Sequence, residues 1–232
     1  MIRHIPFASL YLADHGWLKS RFHFSFAEYR NPDNMHYGPL RVMNDDIIEG
    51  GQGFSLHPHE NMEIISYVIS GELTHEDSMG NRESLGRGGV QYMSAGTGVM
   101  HSEMNEGNEA VHLIQTWILP AKKGLEPKYG SMLFKKSERH NRWLHLVGPE
   151  DSEASIHIYQ DANMYVSEID SGQSLPFKLQ KGRRLYLKVM EGRGNINGNM
   201  FLSGDAAEVE GESLVAEAIT DLHLLLVEMR TE

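Results

Sequence analysis

His57 and His59 stand on either side of Pro58, and His101 stands two residues before Glu103. In an extended strand residues i and i+2 project to the same face. Each pair therefore offers two donor side chains to one side of a sheet. The stretch between the pairs is long enough for several short strands and their turns. Two facing strands of a barrel would gather three imidazoles and one carboxylate, a set that suits a divalent first-row metal. Pro58 cannot donate to a strand ladder and marks an edge or a strand end. Gly96-Thr97-Gly98 permits a tight turn into the strand that carries His101. An H-x-H pair alone is a weak signal, and it gains meaning from the second pair. Glu63 shares the parity of His57 and His59, but on a straight strand it would lie ~13 Å from His59. Only a turn at Asn61-Met62 would return it. Glu103 is the preferred carboxylate and Glu63 the alternative.

The elements that must position these residues read as strands. Short runs rich in Val, Ile, Tyr and Leu end at turn signals, as in Ile64–Ile69 before Ser70-Gly71 and Leu185–Met190 before Glu191-Gly192. Such spacing predicts an all-β sandwich or barrel. Gly51-Gln52 matches Gly172-Gln173, and the same offset aligns Val68-Ile69 with Val189-Met190 and Gly71 with Gly192. This weak repeat predicts two β domains, at 1–125 and 126–232. In that register His57, His59 and Glu63 map to Lys178, Gln180 and Arg184, so the second domain is expected to lack the ligands. The lysine-rich stretch from Ala121 to Arg142 reads as a linker with one short strand near Met132-Leu133-Phe134.

Composition removes whole classes of function. The 232 residues contain no cysteine, which excludes disulfides, thiolate zinc, iron–sulfur clusters and a Cys nucleophile. The net charge of −11 argues against nucleic-acid binding by bulk electrostatics. No apolar run approaches the ~20 residues of a membrane span. Ile5–Ala13 is faintly like a signal segment, but Pro6 interrupts it and no A-x-A site follows, so a cytoplasmic location is expected. Other residues have plainer readings. His75, Glu76 and Asp77 read as a solvated turn. His112 reads as a satisfied, half-buried histidine, and Phe22, Phe24 and Phe26 as one face of a strand.

Gly51, His57-x-His59 and Glu63 together resemble the first cupin motif, and Gly98, His101 and Asn105 the second. The second departs at Gly96, where cupins usually carry proline. Phe22–Phe26, Arg41–Asp46, His57–His59, His75–Ser78 and Met93–Glu103 more specifically resemble the pirin family. That resemblance covers almost all of the first half, whereas the second half shares only the strand-and-glycine pattern. It implies a bicupin of two antiparallel β-barrels with one divalent transition metal in the first. The implied ligands are His57, His59, His101 and Glu103, with Glu63 a neighbour. Iron is the metal expected from the family, although nickel, cobalt, manganese, copper or zinc also suit the donors. The resemblance further implies a quercetin 2,3-dioxygenase-like activity on a flavonol and O2. In that chemistry Glu103 takes the proton of the substrate hydroxyl, and O2 opens the heterocycle with release of carbon monoxide. The alternative is a metal-binding, redox-sensitive regulator acting through a protein partner.

Overall fold

The computed structural model describes residues 1–231. In chain order the first strands are β1 (Ile2–Ile5), β2 (Tyr11–Asp14), β3 (Leu18–Phe22), β4 (Leu40–Ile48), β5 (Gly53–His59) and β6 (Glu63–Ser70). They are followed by β7 (Leu73–Asp77), β8 (Arg82–Leu85), β9 (Gly89–Ser94), β10 (Val99–Met104), β11 (Val111–Ile118) and β12 (Lys128–Leu133). A single helical turn, α1 (Lys136–Arg139), precedes β13 (Leu144–Pro149), β14 (Ile156–Ile158), β15 (Ala162–Ile169), β16 (Ser174–Phe177) and β17 (Arg183–Glu191). The chain closes with β18 (Arg193–Ile196), β19 (Asn199–Leu202), β20 (Ala206–Glu210), β21 (Leu214–Ala218) and β22 (Leu222–Arg230). The all-β bicupin architecture expected from the sequence is the one observed. No helix among the described residues is long and apolar enough to cross a membrane.

Contacts divide the chain into two units. One comprises Tyr11–Phe134 with Ile158–Gln160, and the other Met1–Leu10, Lys135–His157 and the chain from Asp161 onward. The first is built on sheets of order β12-β9-β6-β11-β4-β3-β2 and β5-β10-β7-β8. The second repeats that plan as β1-β20-β17-β22-β15-β13-β14 and β16-β21-β18-β19. Residues 2–5, which lead into the signal-like stretch at Ile5, are thus a strand of the second unit, with Ile2 opposite Val209 and Ile5 opposite Ala206. The stretch read as a linker carries β12, which pairs with β9, and α1.

Register decides what lines each interior, because directly opposed residues of an antiparallel pair share a face. In the first unit Asn44 faces Gln115, Gln115 faces Ser66 and Ser66 faces Gln91. All four are buried, and they form a polar row across the larger sheet. Apolar residues gather on either side of it, Val68, Leu113 and Leu18 in one cluster and Ile64, Met93 and Val99 in another. At the same places in the second unit Tyr165 faces Leu226, Leu226 faces Leu187 and Leu187 faces Ala207. There one continuous apolar cluster fills the interior.

Candidate metal centre

Strand β5 does not run regularly into its histidines. Opposite β10, His101 pairs with His57, but Glu103 pairs with Phe54, so β5 spends three residues where β10 spends two. This bulge at Ser55-Leu56 re-phases the strand. Phe54 packs into the core and His57 also turns inward, although the two are an odd number of residues apart. The Nδ1 of His57 lies 2.7 Å from the Ser55 carbonyl and donates to it, which leaves Nε2 with its lone pair. Past the bulge His59 follows on the same face, and Val99 is opposite it.

Strand β10 enters from the turn at residues 95–98. Gly96 has φ +44°, and a Cβ there would stand 2.1 Å from the Leu125 carbonyl oxygen. Proline, held near φ −65°, cannot occupy that position, which explains the departure from the usual cupin motif. His101 and Glu103 then share an inward face as the i, i+2 spacing requires, and both are buried.

The rings of His57, His59 and His101 meet with centroids 4.5–4.9 Å apart. One nitrogen from each lies within 4.8 Å of the others, so this triad could hold a metal ion. The Nε2 of His101 is buried and has no hydrogen-bond partner among the described residues, as expected of a nitrogen reserved for a ligand. Burial pushes the His101 imidazole down to about 3, helped by the neighbouring His57 and His75. Burial also pushes His59 down to about 4, with His101 and His57 adding to the effect. Neutral imidazole is the form that binds metal, so His59 and His101 fit such a group without further deprotonation near neutral pH.

Glu103 extends from the triad strand into the polar row. Its Oε1 accepts from the Ser66 hydroxyl at 2.7 Å and its Oε2 from the Gln115 amide at 2.5 Å. The orientation of that amide is settled by Trp117, whose indole N–H can only donate and does so to the Gln115 Oε1 at 3.1 Å. The Gln115 NH2 is thereby directed to Glu103. Each carboxylate oxygen keeps a further lone pair. Trp117 also sets its ring edge-on to His59 at 4.7 Å, and Phe26 packs edge-on to Trp117 at 5.2 Å.

Glu63 is fully buried elsewhere in the unit. It accepts from the Tyr92 hydroxyl at 2.5 Å, the Ser94 hydroxyl at 2.8 Å and the Tyr159 N–H at 3.3 Å. Its carboxylate is engaged by these donors, and it is not grouped with the three imidazoles.

Several plain readings of the sequence need revision. His75 and Asp77 are not a solvated turn: β7 runs through Asp77, and both residues are buried, with only Glu76 between them outside. The alternation of His75, Glu76 and Asp77 was the available signal, since a strand passing over a core buries every second residue. The strand bearing Phe22 ends there, and Phe26 lies beyond it in a turn, where Ala27 has φ +45°. Lys178 and Gln180 follow β16 and are not the counterparts of the histidines. The pairings of β16 with β21 put Leu175 opposite Ala216 and Phe177 opposite Leu214, in the places of His57 with His101 and His59 with Val99. His112 is satisfied as expected, 2.6 Å from the Asp45 carboxylate.

Comparison with known proteins gives concordant results. The pirin family model matches residues 7–118, and the quercetinase C-terminal cupin domain matches residues 145–229. A protein of Pseudomonas aeruginosa is 44% identical over 231 residues, covering 99% of this chain and 100% of its own length. The quercetin 2,3-dioxygenase of Escherichia coli is 37% identical over 219 residues, 94% of each chain. The crystal structure of the bacterial pirin YhhW from Escherichia coli in complex with nickel(II) superposes with a TM-score of 0.93. It is 35% identical and covers 100% of both chains.

Proposed function

The chain belongs to the pirin family, and from that premise we propose that it is a metal-dependent dioxygenase of the quercetin 2,3-dioxygenase type, acting on flavonols with O2 in the cytoplasm. The observation that carries this reading is the convergence of three imidazoles on one point, beside a buried carboxylate on the same strand face as His101. His57, His59, His101 and Glu103 are the proposed ligands of one ion per chain. Iron is the proposed resident, and nickel suits the same donors. A bound ion would supply Lewis acidity to an enol oxygen and, if redox-capable, a partner for O2.

The residues of the chain do the rest. Glu103 takes the proton of the substrate hydroxyl, and Ser66 and Gln115 hold the carboxylate in place. Trp117 and Phe26 offer flat apolar surface next to His59, suited to an aromatic substrate. The test is flavonol turnover in air by untagged protein of measured metal content, with His57→Ala alongside. Turnover that tracks metal content and disappears in His57→Ala is the expected result. Metal-loaded protein that turns over no flavonol or related enol would refute the assignment.

A further inference from the structure

The second nitrogen of His101 is engaged. Its Nδ1 lies 3.5 Å from the Nδ1 of His75, a residue of β7 that is buried and does not belong to the imidazole triad. The His75 ring is clamped by Tyr129, stacked on it with centroids 4.5 Å apart. Its other nitrogen, Nε2, is 3.1 Å from the Asp77 Oδ2. Asp77 in turn receives the Met79 N–H at 2.8 Å, the Asn81 N–H at 3.1 Å and the Asn81 side-chain amide at 3.0 and 3.1 Å. Burial alone would raise the Asp77 carboxyl, but the hydrogen bonds from Asn81, His75 and Met79 outweigh it and hold the group below the usual carboxylate range.

With a neutral His75 the hydrogens along this line have one arrangement, and it is the one that leaves no hydrogen on the buried, partnerless Nε2 of His101. An ionised carboxylate can only accept, so the hydrogen between Asp77 and His75 sits on Nε2 of His75. A neutral imidazole has one donor and one acceptor nitrogen, so Nδ1 of His75 accepts. The hydrogen between the two rings then sits on Nδ1 of His101. The lone pair of His101 is left on Nε2, the buried nitrogen without a partner.

We propose that His75, backed by Asp77, is a positioning residue for the metal centre: by accepting the Nδ1–H of His101 it locks that imidazole in the tautomer and orientation that present Nε2 to a divalent transition-metal ion. The inference rests on His101 being a ligand. An anion two groups behind a ligand also makes that ligand a better donor, and removal of such partners typically costs 10–100-fold in metal affinity.

The test uses full-length metal-free protein, with nickel(II) affinity measured by chelator competition and the His101 tautomer read from long-range proton–nitrogen NMR. Native His101 is expected to carry its hydrogen on Nδ1. His75→Phe keeps a ring against Tyr129 but cannot accept, and should bind nickel about 10–100-fold more weakly. His75→Gln can accept from His101 through its oxygen and donate to Asp77 through its NH2, and should recover most of the loss, which a purely structural role would not predict. A hydrogen on Nε2 of native His101, native affinity in His75→Phe, or no rescue by His75→Gln would each overturn the proposal. If His75→Phe fails to fold, the native tautomer and the affinity of His75→Gln still decide. His101→Ala separates the ligand role of His101 from the positioning role of His75. Native nickel affinity in that variant sinks the ligand reading itself, whereas loss there with native affinity in His75→Phe sinks only the role of His75.

Discussion

Strand for strand the two units follow one plan, yet their interiors solve opposite problems. Across the larger sheet the first carries Asn44, Gln115, Ser66 and Gln91 where the second carries Tyr165, Leu226, Leu187 and Ala207. Across the smaller sheet His57, His59 and His101 stand where Leu175, Phe177 and Ala216 stand. Between its sheets the second unit packs an extended apolar cluster, the ordinary source of stability. The first divides its apolar residues around a buried polar row that holds Glu103. Buried polar groups are tolerable only when each is paired. The row therefore reads as scaffolding for a carboxylate, maintained at the expense of a continuous core.

The largest expected effect lies at the triad. His101→Ala should lower bound nickel from one equivalent per chain to almost none, while Leu175→Ala in the second unit should leave metal content unchanged. Equal metal content in both variants would break the contrast between the units. Next comes an exchange of chemistry across the repeat. Leu226→Gln puts an amide into a dry cluster with no partner arranged for it. It should cost roughly 3 kcal/mol or more in denaturant unfolding with metal binding intact. A loss below about 1 kcal/mol would show that the second interior tolerates polarity after all.

The reciprocal change, Gln115→Leu, leaves Trp117 Nε1 and one oxygen of Glu103 unpaired, a cost of about 1–3 kcal/mol. It should also weaken nickel binding if Glu103 is a ligand. Glu103→Gln should weaken nickel binding further and abolish turnover. Glu63→Gln, in a carboxylate held by Tyr92, Ser94 and Tyr159, should retain most metal. The reverse ranking would move the metal carboxylate to Glu63.

The smallest effect is a pH slope, and its sign depends on the residue. His59 and His101 are lowered from 6.5 to about 4 and about 3. Below pH 6.5 the unfolded chain binds protons that the folded one refuses. Metal-free protein therefore loses stability as pH falls from about 6.5 through 4, and His101→Ala should reduce that loss. Asp46 does the opposite. Burial, together with Asp45 and Glu103, raises it from 3.8 to about 7 despite the hydrogen bond from Ser20. Between those values the folded state binds the extra proton, so Asp46 makes the protein less stable as pH rises from about 4 to 7. The two contributions offset each other in the native protein. Asp46→Asn should expose the acid loss as a steeper slope in urea midpoints, and an unchanged slope would show that Asp46 is ionised throughout.

The sequence by itself determined what depends on local spacing. The i, i+2 pairs put His57 with His59 and His101 with Glu103 on shared faces, because a strand alternates whatever surrounds it. Alternation of apolar runs with turns set the all-β class, and the matching glycines set the repeat. Only the tertiary structure decided what depends on register and on neighbours remote in sequence. The bulge at Ser55-Leu56 re-phases β5, which no local pattern announces. The connection from β16 to β17 is longer than that from β5 to β6, so a constant offset that aligns Ser66 with Leu187 misplaces the counterparts of the histidines on Lys178 and Gln180. His75 and Asp77 look like a hydrophilic turn in the chain. They become an arm behind His101 because β7 pairs with β10, with His75 opposite Glu103 and Asp77 opposite His101. Polarity in a sequence reports what water would favour, but burial follows from which strands pair, and that is a property of the whole sheet.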